Sequence, residues 1–419
     1  MGLPAHRGGP RRVLMFAYFF PPLGGAGVQR AVKFAKYLPE FGWRPTVLTT
    51  SSTAYPAADP TLACDLHPGT RIVRARELEG AGTVVNLFAT LGLTTASRIA
   101  AFPDAAAGWM PDALRLALRT ARRERPAMLF STSAPFSAHL IALVVHERTG
   151  IPWVADFRDE WSANPGLRGE PALVRRMARR LELEITSRAS AITVVGDYFD
   201  IFNPHASPIA VIPNGVDDQD LEEPREGPAG DALTLSYVGT LYGKRDAVPV
   251  VNALQRLAGR GAIDLDQLRI RFVGNDWRPC TPPWPLPVHQ LGYVSHTEAL
   301  REMRAASVLL HYEDPANPGP GGKIYEYLAS ARPVLCVARP DGRAAALVRA
   351  SGAGPIASPN DPEGIERAIL ELYERWRATG LPDQPQLRDW VLEHYSRRKL
   401  TGDLASVLDA AGERSSSCP

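Results

Sequence analysis

Cysteine is scarce in this chain. Four occur, at Cys64, Cys280, Cys336 and Cys418, and no two form a CxxC pair. This excludes a disulfide framework and a cysteine zinc site, and it points to a reduced compartment. A charge excess is also lacking. Lys and Arg total 47 against 45 Asp and Glu, a net charge of +2, which gives no basis for overall attraction to nucleic acid. No basic cluster with interleaved aromatics suggests an RNA or DNA module. No run approaches the roughly 20 apolar residues needed to span a bilayer. The run "VLMFAYFF" follows Arg7, Arg11 and Arg12, but it is short, ends in "PPLGGAG" and lacks a small-residue cleavage site. It reads as a buried first strand rather than a signal peptide. The expected location is cytoplasmic.

What is present is ordinary globular material. With 419 residues, 45% hydrophobic and 22% charged, the chain can build two domains or more. The stretch "RRVLMFAYFFPPLGGAGVQRAVKFAKYLPEFGWRPTVLTT" reads as strand, glycine turn, helix, strand. Its strands are nearly all apolar, as in a parallel sheet covered on both faces. "AMLFSTS", "IPWVADFRDEW", "SAITVVG" and "IAVIPNGVD" read as further strands, with helices over "PFSAHLIALVVHERTG" and "ALVRRMARRLELEITSRA" between them. The acidic, Pro- and Gly-bearing stretch "DDQDLEEPREGPAGDA" reads as a linker, and alternating elements resume at "LTLSYVGTLYGKRDAVPVVNALQRL". Ser295 and Glu298 have capping-box spacing, which predicts a helix from about His296. The expected fold is α/β with two open, doubly wound domains. Residues 1–216 form the first domain, 217–232 the linker and 233–385 the second domain.

In open α/β sheets, ligands bind at the carboxyl ends of strands beside helix N-termini, so the residues after each strand are the candidates. Gly24, Gly25 and Gly27 follow the first strand and open a helix, a natural anion site. A dinucleotide fingerprint does not fit, because Arg30 stands where its third glycine should be and the second strand ends in Thr49 and Thr50, without a ribose-binding acid. Asp156, Arg158 and Asp159 cluster after "WVA"; an internal Asp–Arg pair and a functional role are both compatible with that cluster. Gly239 lets backbone approach a ligand, and Lys244 and Arg245 behind it suit a diphosphate. Gly321 and Gly322 lead into a helix carrying Lys323 and Glu326 one turn apart. That pair is either a plain intrahelical contact or a phosphate cation with a carboxylate suited to a vicinal diol. All of these features fit one nucleotide diphosphate sugar.

At this point the chain resembles the family 4 glycosyltransferases of the GT-B fold over about residues 12 to 400. The carriers are "PPLGGAGVQRAVKFAKYL", "IPWVADFRDEW", "VIPNGVD", "YVGTLYGKR", "LGYVSHTEAL" and "GGKIYEYLASARPVLCVA", in that order. The resemblance implies two Rossmann-like domains facing across a cleft and sugar transfer from a UDP- or GDP-sugar to a hydroxyl acceptor with retention. It implies that Arg245 and Lys323 hold the diphosphate, Glu326 the ribose, and the backbone near Tyr293 and Val294 the base. Gly24 and Gly25 would line the diphosphate from the first domain. Gly239, Thr240, Lys244 and Gly322 complete the donor set. Asp156, Arg158 or Asp159 would orient the acceptor hydroxyl or the sugar, without a ranking among them. A last helix, at 386–410, would pack back on the first domain.

There are departures from the family pattern. Gly319 stands seven residues before Glu326, where the family's common motif has a further glutamate. Thr240 follows Gly239 where many members have a basic residue. Neither a cofactor nor a metal is expected; "DQD" at Asp218 to Asp220 lies in the linker. Arg175, Arg176, Arg179 and Arg180 on an amphipathic run make peripheral contact with a membrane or a lipid-linked acceptor a further expectation, with a solvated helix face as the plain reading. The rival functions are a nucleotide-sugar epimerase of the same fold and a non-catalytic binding protein that keeps the nucleotide pocket.

Overall fold

The computed structural model describes residues 10–52, 58–78, 90–197, 207–221, 231–241, 245–274, 286–314 and 319–416. The chain divides into two compact units, Met1–Pro213 with Arg397–Pro419, and Asn214–Ser396.

Within the described residues, the first unit builds a seven-stranded sheet from β1 (Arg11–Phe16), β2 (Trp43–Thr50), β3 (Arg71–Ala75), β4 (Met128–Ser133), β5 (Trp153–Phe157), β6 (Ala191–Val194) and β7 (Ile209–Val211). Its order is β3-β2-β1-β4-β5-β6-β7, and every pairing is parallel. Residues 128–133, 153–157 and 191–194 are buried throughout, which is why these strands are rich in apolar and small residues, with Asp156 as the one charge. The helices are α1 (Ala26–Tyr37), α2 (Thr94–Ala100), α3 (Met110–Glu124), α4 (Ser137–Thr149) and α5 (Ala172–Arg188). Alternate side chains of a strand go to opposite faces. Val13 and Met15 therefore join one core with Phe34 and Phe130, while Leu14 and Phe16 join another with Trp109 and Trp153.

Among its described residues, the second unit has a six-stranded parallel sheet of β8 (Leu233–Val238), β9 (Leu268–Val273), β10 (Val288–Gln290), β11 (Val308–Tyr312), β12 (Val334–Val337) and β13 (Ile356–Ala357). The order β10-β9-β8-β11-β12-β13 repeats the winding of the first unit. Its helices are α6 (Val248–Gly259), α7 (His296–Ala305), α8 (Lys323–Ala329), α9 (Arg343–Ser351), α10 (Pro362–Thr379) and α11 (Pro385–Tyr395). The Ser295–Glu298 capping box is formed in both directions, and α7 begins at His296 as the spacing predicts.

The C-terminal stretch differs from the single helix expected over 386–410. It is two helices, α11 and α12 (Arg397–Ser416), separated by Ser396 in an extended conformation. Leu387 and Val391 of α11 are buried in a core of the second unit, whereas Leu400, Leu404 and Leu408 of α12 are buried with α1 in the first. The break occurs where the chain passes between units, and there Ser396 bridges to Val216. The earlier passage lies at Pro213/Asn214 rather than at 216. The buried Arg30 fixes it by donating to the Pro213 carbonyl at 2.9 Å.

Candidate functional site

In each unit the strand order reverses at one point, between β1 and β4 and between β8 and β11, and a doubly wound sheet takes its ligand at the carboxyl ends there. In the second unit, one glycine follows each of the three strands β8, β9 and β10. Gly239 and Gly274 have φ 155° and 136°, in the region that favours glycine. Gly239 N–H donates to Val273 O at 2.8 Å, and Gly274 N–H to Gly292 O at 2.7 Å. A Cβ on Gly274 would lie 2.0 Å from the Gly239 carbonyl oxygen, so the two turns touch backbone to backbone. Gly274 and Gly292 carry the same signal as Gly239, a glycine directly behind an apolar strand or "HQL". Tyr237 donates its hydroxyl to Thr240 O at 3.2 Å and holds the first turn. Lys244 lies outside the described residues.

At this edge Arg245 lies against the segment that leads into Lys323. Gly321 has φ 76°, and a Cβ there would lie 3.5 Å from Arg245 Nη2. The guanidinium thus rests against the segment that enters α8 two residues before Lys323. Gly322 at the helix start is exposed. Lys323 Nζ donates to Glu326 Oε2 at 2.6 Å, with side-chain exposures of 35% and 14%. The intrahelical contact foreseen as the plain alternative is therefore formed, and it leaves the lysine partly open to solvent. Tyr327, on the same helix, accepts from Val238 N–H at 2.8 Å and donates to Val238 O at 3.0 Å, which pins α8 to the end of β8. His311, the penultimate residue of β11, is buried. Burial and the charge of Arg245 push its pKa down to about 3, so it adds no charge of its own. Tyr293 and Val294 follow β10; Tyr293 is exposed and Val294 packs on the core.

The first unit places its candidates differently. Asp156 is fully buried. Its Oδ2 accepts from Arg30 Nε at 3.0 Å and Thr132 Oγ1 at 2.7 Å, and its Oδ1 from Arg30 Nη2 at 2.8 Å and Thr193 Oγ1 at 2.6 Å. Burial alone would raise this carboxyl, but Arg30 and the two threonines together pull it below the ordinary range. The carboxylate is enclosed, and both of its oxygens accept from Arg30 and a threonine. Its partner is Arg30, the residue that broke the dinucleotide pattern. Arg158 is also committed to structure. It donates to the carbonyls of Ser133, Ala134 and Gly27, so one guanidinium ties the end of β4 to the start of α1 across the switch point. Asp159 alone of the three is exposed. Gly25 has φ 88° and precedes α1, and Gly24 is buried beside it.

Arg175, Arg176, Arg179 and Arg180 lie on the solvent face of α5, whose buried face holds Val174, Ala178 and Ile185. Among the described residues, no helix is long and apolar enough to cross a membrane. Asp220 of the "DQD" stretch meets His296 Nε2 at 3.0 Å, and no described group of three His, Cys, Asp or Glu side chains gathers as a metal site would need.

Residues 232–375, which make up most of the second unit, match the family described as "Glycosyl transferases group 1". No curated protein sequence matches the chain. Several solved structures are similar over nearly the whole length. The HepE protein of Anabaena, in complex with UDP-glucose, is 13% identical with a TM-score of 0.65, covering 96% of this chain and 100% of that one. The trehalose 6-phosphate synthase of Burkholderia multivorans is 12% identical with a TM-score of 0.62, covering 98% of each. The sucrose-phosphate synthase of Thermosynechococcus elongatus is 14% identical with a TM-score of 0.59, covering 96% and 97%. At such identities the likeness shows the fold: two Rossmann-like units of the GT-B type.

Proposed function

We propose that this chain is a retaining glycosyltransferase that moves a sugar from a nucleotide diphosphate sugar to a hydroxyl acceptor, in the manner of family 4. The observation that carries the reading is the meeting of Arg245 with the Gly321–Lys323 segment at the switch point of the unit that matches the group 1 transferases. As the anomeric C–O bond breaks, negative charge grows on the leaving diphosphate. Fixed cations at that position stabilise the transition state more than the bound substrate. Arg245 offers a planar fork of N–H donors, and Lys323 a compact ammonium. Glu326 uses Oε2 for Lys323 and keeps its other oxygen for a ribose hydroxyl. Gly239, Gly274 and Gly292 let the turns behind β8, β9 and β10 pack backbone to backbone beside the ligand. The backbone near Tyr293 and Val294 meets the base, and the UDP-glucose complex of the Anabaena neighbour favours uridine. Asp159 is the one acid of its cluster left to contact the acceptor. The reading needs no metal. Acceptors in view are a saccharide, a lipid-linked glycan or a natural product.

The test is release of nucleoside diphosphate from UDP-sugars, with and without a panel of hydroxyl acceptors. Arg245→Ala is expected to lower turnover by roughly 10² to 10³, as loss of a transition-state donor does elsewhere. Near-normal turnover would remove Arg245 from its role. Isomerisation of the donor with no acceptor present would instead identify an epimerase.

A further inference from the structure

The amino ends of the first unit's strands carry an arrangement that sugar transfer does not use. Arg12, Arg44 and Arg71 stand at the beginnings of β1, β2 and β3, and the last turn of α3 adds Arg123. With Thr46, Gly69 and Glu124 they line a crevice of about 290 Å³. Arg12 and Arg44 are direct partners in the parallel register. Like charges set side by side on neighbouring strands oppose pairing unless something neutralises them. The one carboxylate in the lining is Glu124, which is occupied: Arg71 donates to Oε1, and Thr46 Oγ1 to Oε2 at 2.7 Å. Among the described residues, Arg12 reaches only the Glu124 backbone carbonyl, at 3.4 Å. Arg44 and Arg123 have no carboxylate partner among the described residues. The neighbouring Arg11 shows the contrast. Alternation sends it to the other face, where it pairs with Asp409 at 2.5 Å and lies 4.2 Å over the Trp43 ring.

We propose that this crevice binds a small phosphate-bearing anion through Arg12, Arg44 and Arg123. Guanidinium forks match phosphate oxygens, and three of them line one space whose single carboxylate, Glu124, is already taken by Arg71 and Thr46. The size selects the class. Pockets for drug-sized ligands begin at about 300 Å³, so this one suits phosphate, pyrophosphate or a sugar phosphate rather than a whole nucleotide sugar. A second arginine crevice along α3, lined by Arg115, Arg119 and Arg122, shares Arg123 with the first and raises the local anion concentration. The proposal is independent of the proposed activity, because these strand starts lie at the opposite end of the sheet from its carboxyl-end switch point.

The experiment is calorimetric titration of the full chain with pyrophosphate at low and physiological salt, for the parent and three variants. The expected result is that Arg12→Ser/Arg44→Ser weakens one class of binding at least tenfold, while Arg245→Ala/Lys323→Ala leaves that class intact. Arg123→Gln, outside the sheet, should weaken the same class and guards against a strand variant that fails to fold. Unchanged binding in both crevice variants overturns the proposal. So does pyrophosphate binding that disappears wholly in Arg245→Ala/Lys323→Ala. A parallel flotation assay with phosphatidylglycerol vesicles separates the sources. Arginine-dependent flotation without any binding of free pyrophosphate overturns the soluble-anion assignment in favour of a lipid headgroup.

Discussion

Replacing Asp156 with asparagine probes the first unit at its most enclosed polar point. The change keeps shape and removes one charge. Arg30 is 1% exposed, and in an Asp156→Asn variant its guanidinium would remain buried without a counter-charge. Breaking a buried pair by removing one partner costs about 3–5 kcal/mol, because the other charge stays uncompensated. Two threonine hydroxyls now donate to separate oxygens of the carboxylate, at 2.7 and 2.6 Å; asparagine replaces one oxygen by an NH2, so the hydroxyl that faces it must turn or lose its bond. For a domain of 150–250 residues, 1 kcal/mol shifts the melting temperature by about 2–4 °C. Calorimetry should therefore show the first unit's transition lowered by roughly 6–20 °C. Turnover per folded molecule at low temperature should be little changed. A variant that melts like the parent but loses turnover would refute this reasoning and return Asp156 to the reacting groups.

Three further outcomes are expected. His139 and His311 are buried, and burial pushes the pKa of each down to about 3. In the unfolded chain each takes a proton below about pH 6.5, so the unfolded state binds more protons and stability falls as pH drops from 6.5 toward 3. Each histidine should remove about 2 kcal/mol between pH 7 and pH 5. Denaturant titrations of His139→Gln should lose that slope in the first unit; an unaltered slope contradicts the assignment. Gly274→Ala would set a Cβ 2.0 Å from the Gly239 oxygen at φ 136°. It should destabilise the second unit by at least about 2 kcal/mol in urea, whereas a parental midpoint would mean the turns are not in contact. Glu326→Ala should raise the KM for the donor more than it lowers kcat, since ribose binding is uniform between ground and transition states; a pure kcat loss speaks against a ribose role.

Much of the fold was legible because parallel strands buried on both faces leave unbroken apolar runs, and because the Ser295–Glu298 box marks a helix start within four residues. The Arg245 and Lys323 candidates stand out for a similar reason: each follows a glycine behind a strand, and topology brings strand ends to one edge. What escaped was long-range. Arg30 lies in α1 among Val28, Ala31 and Phe34, a position where a charge needs a partner, but Asp156 is 126 residues away. Nothing local tells that Asp156 pairs with Arg30 rather than with Arg158. The contact of Gly239 with Gly274 depends on the register of β8 against β9, which neither segment carries alone. The split of the last helix at Ser396 depends on where the chain passes between units, and residues 386–410 hold no proline or glycine at the break to announce it.

The central claim is that Arg245 and Lys323 grip a diphosphate at the second unit's switch point. Its most direct test is thermal unfolding of the parent and of Arg245→Ala/Lys323→Ala over a titration of UDP. A ligand at about 100 times its dissociation constant adds roughly 2.7 kcal/mol. The parent should show that stabilisation, and the double variant should need at least tenfold more UDP to reach it. Equal shifts at equal UDP in both proteins would contradict the account.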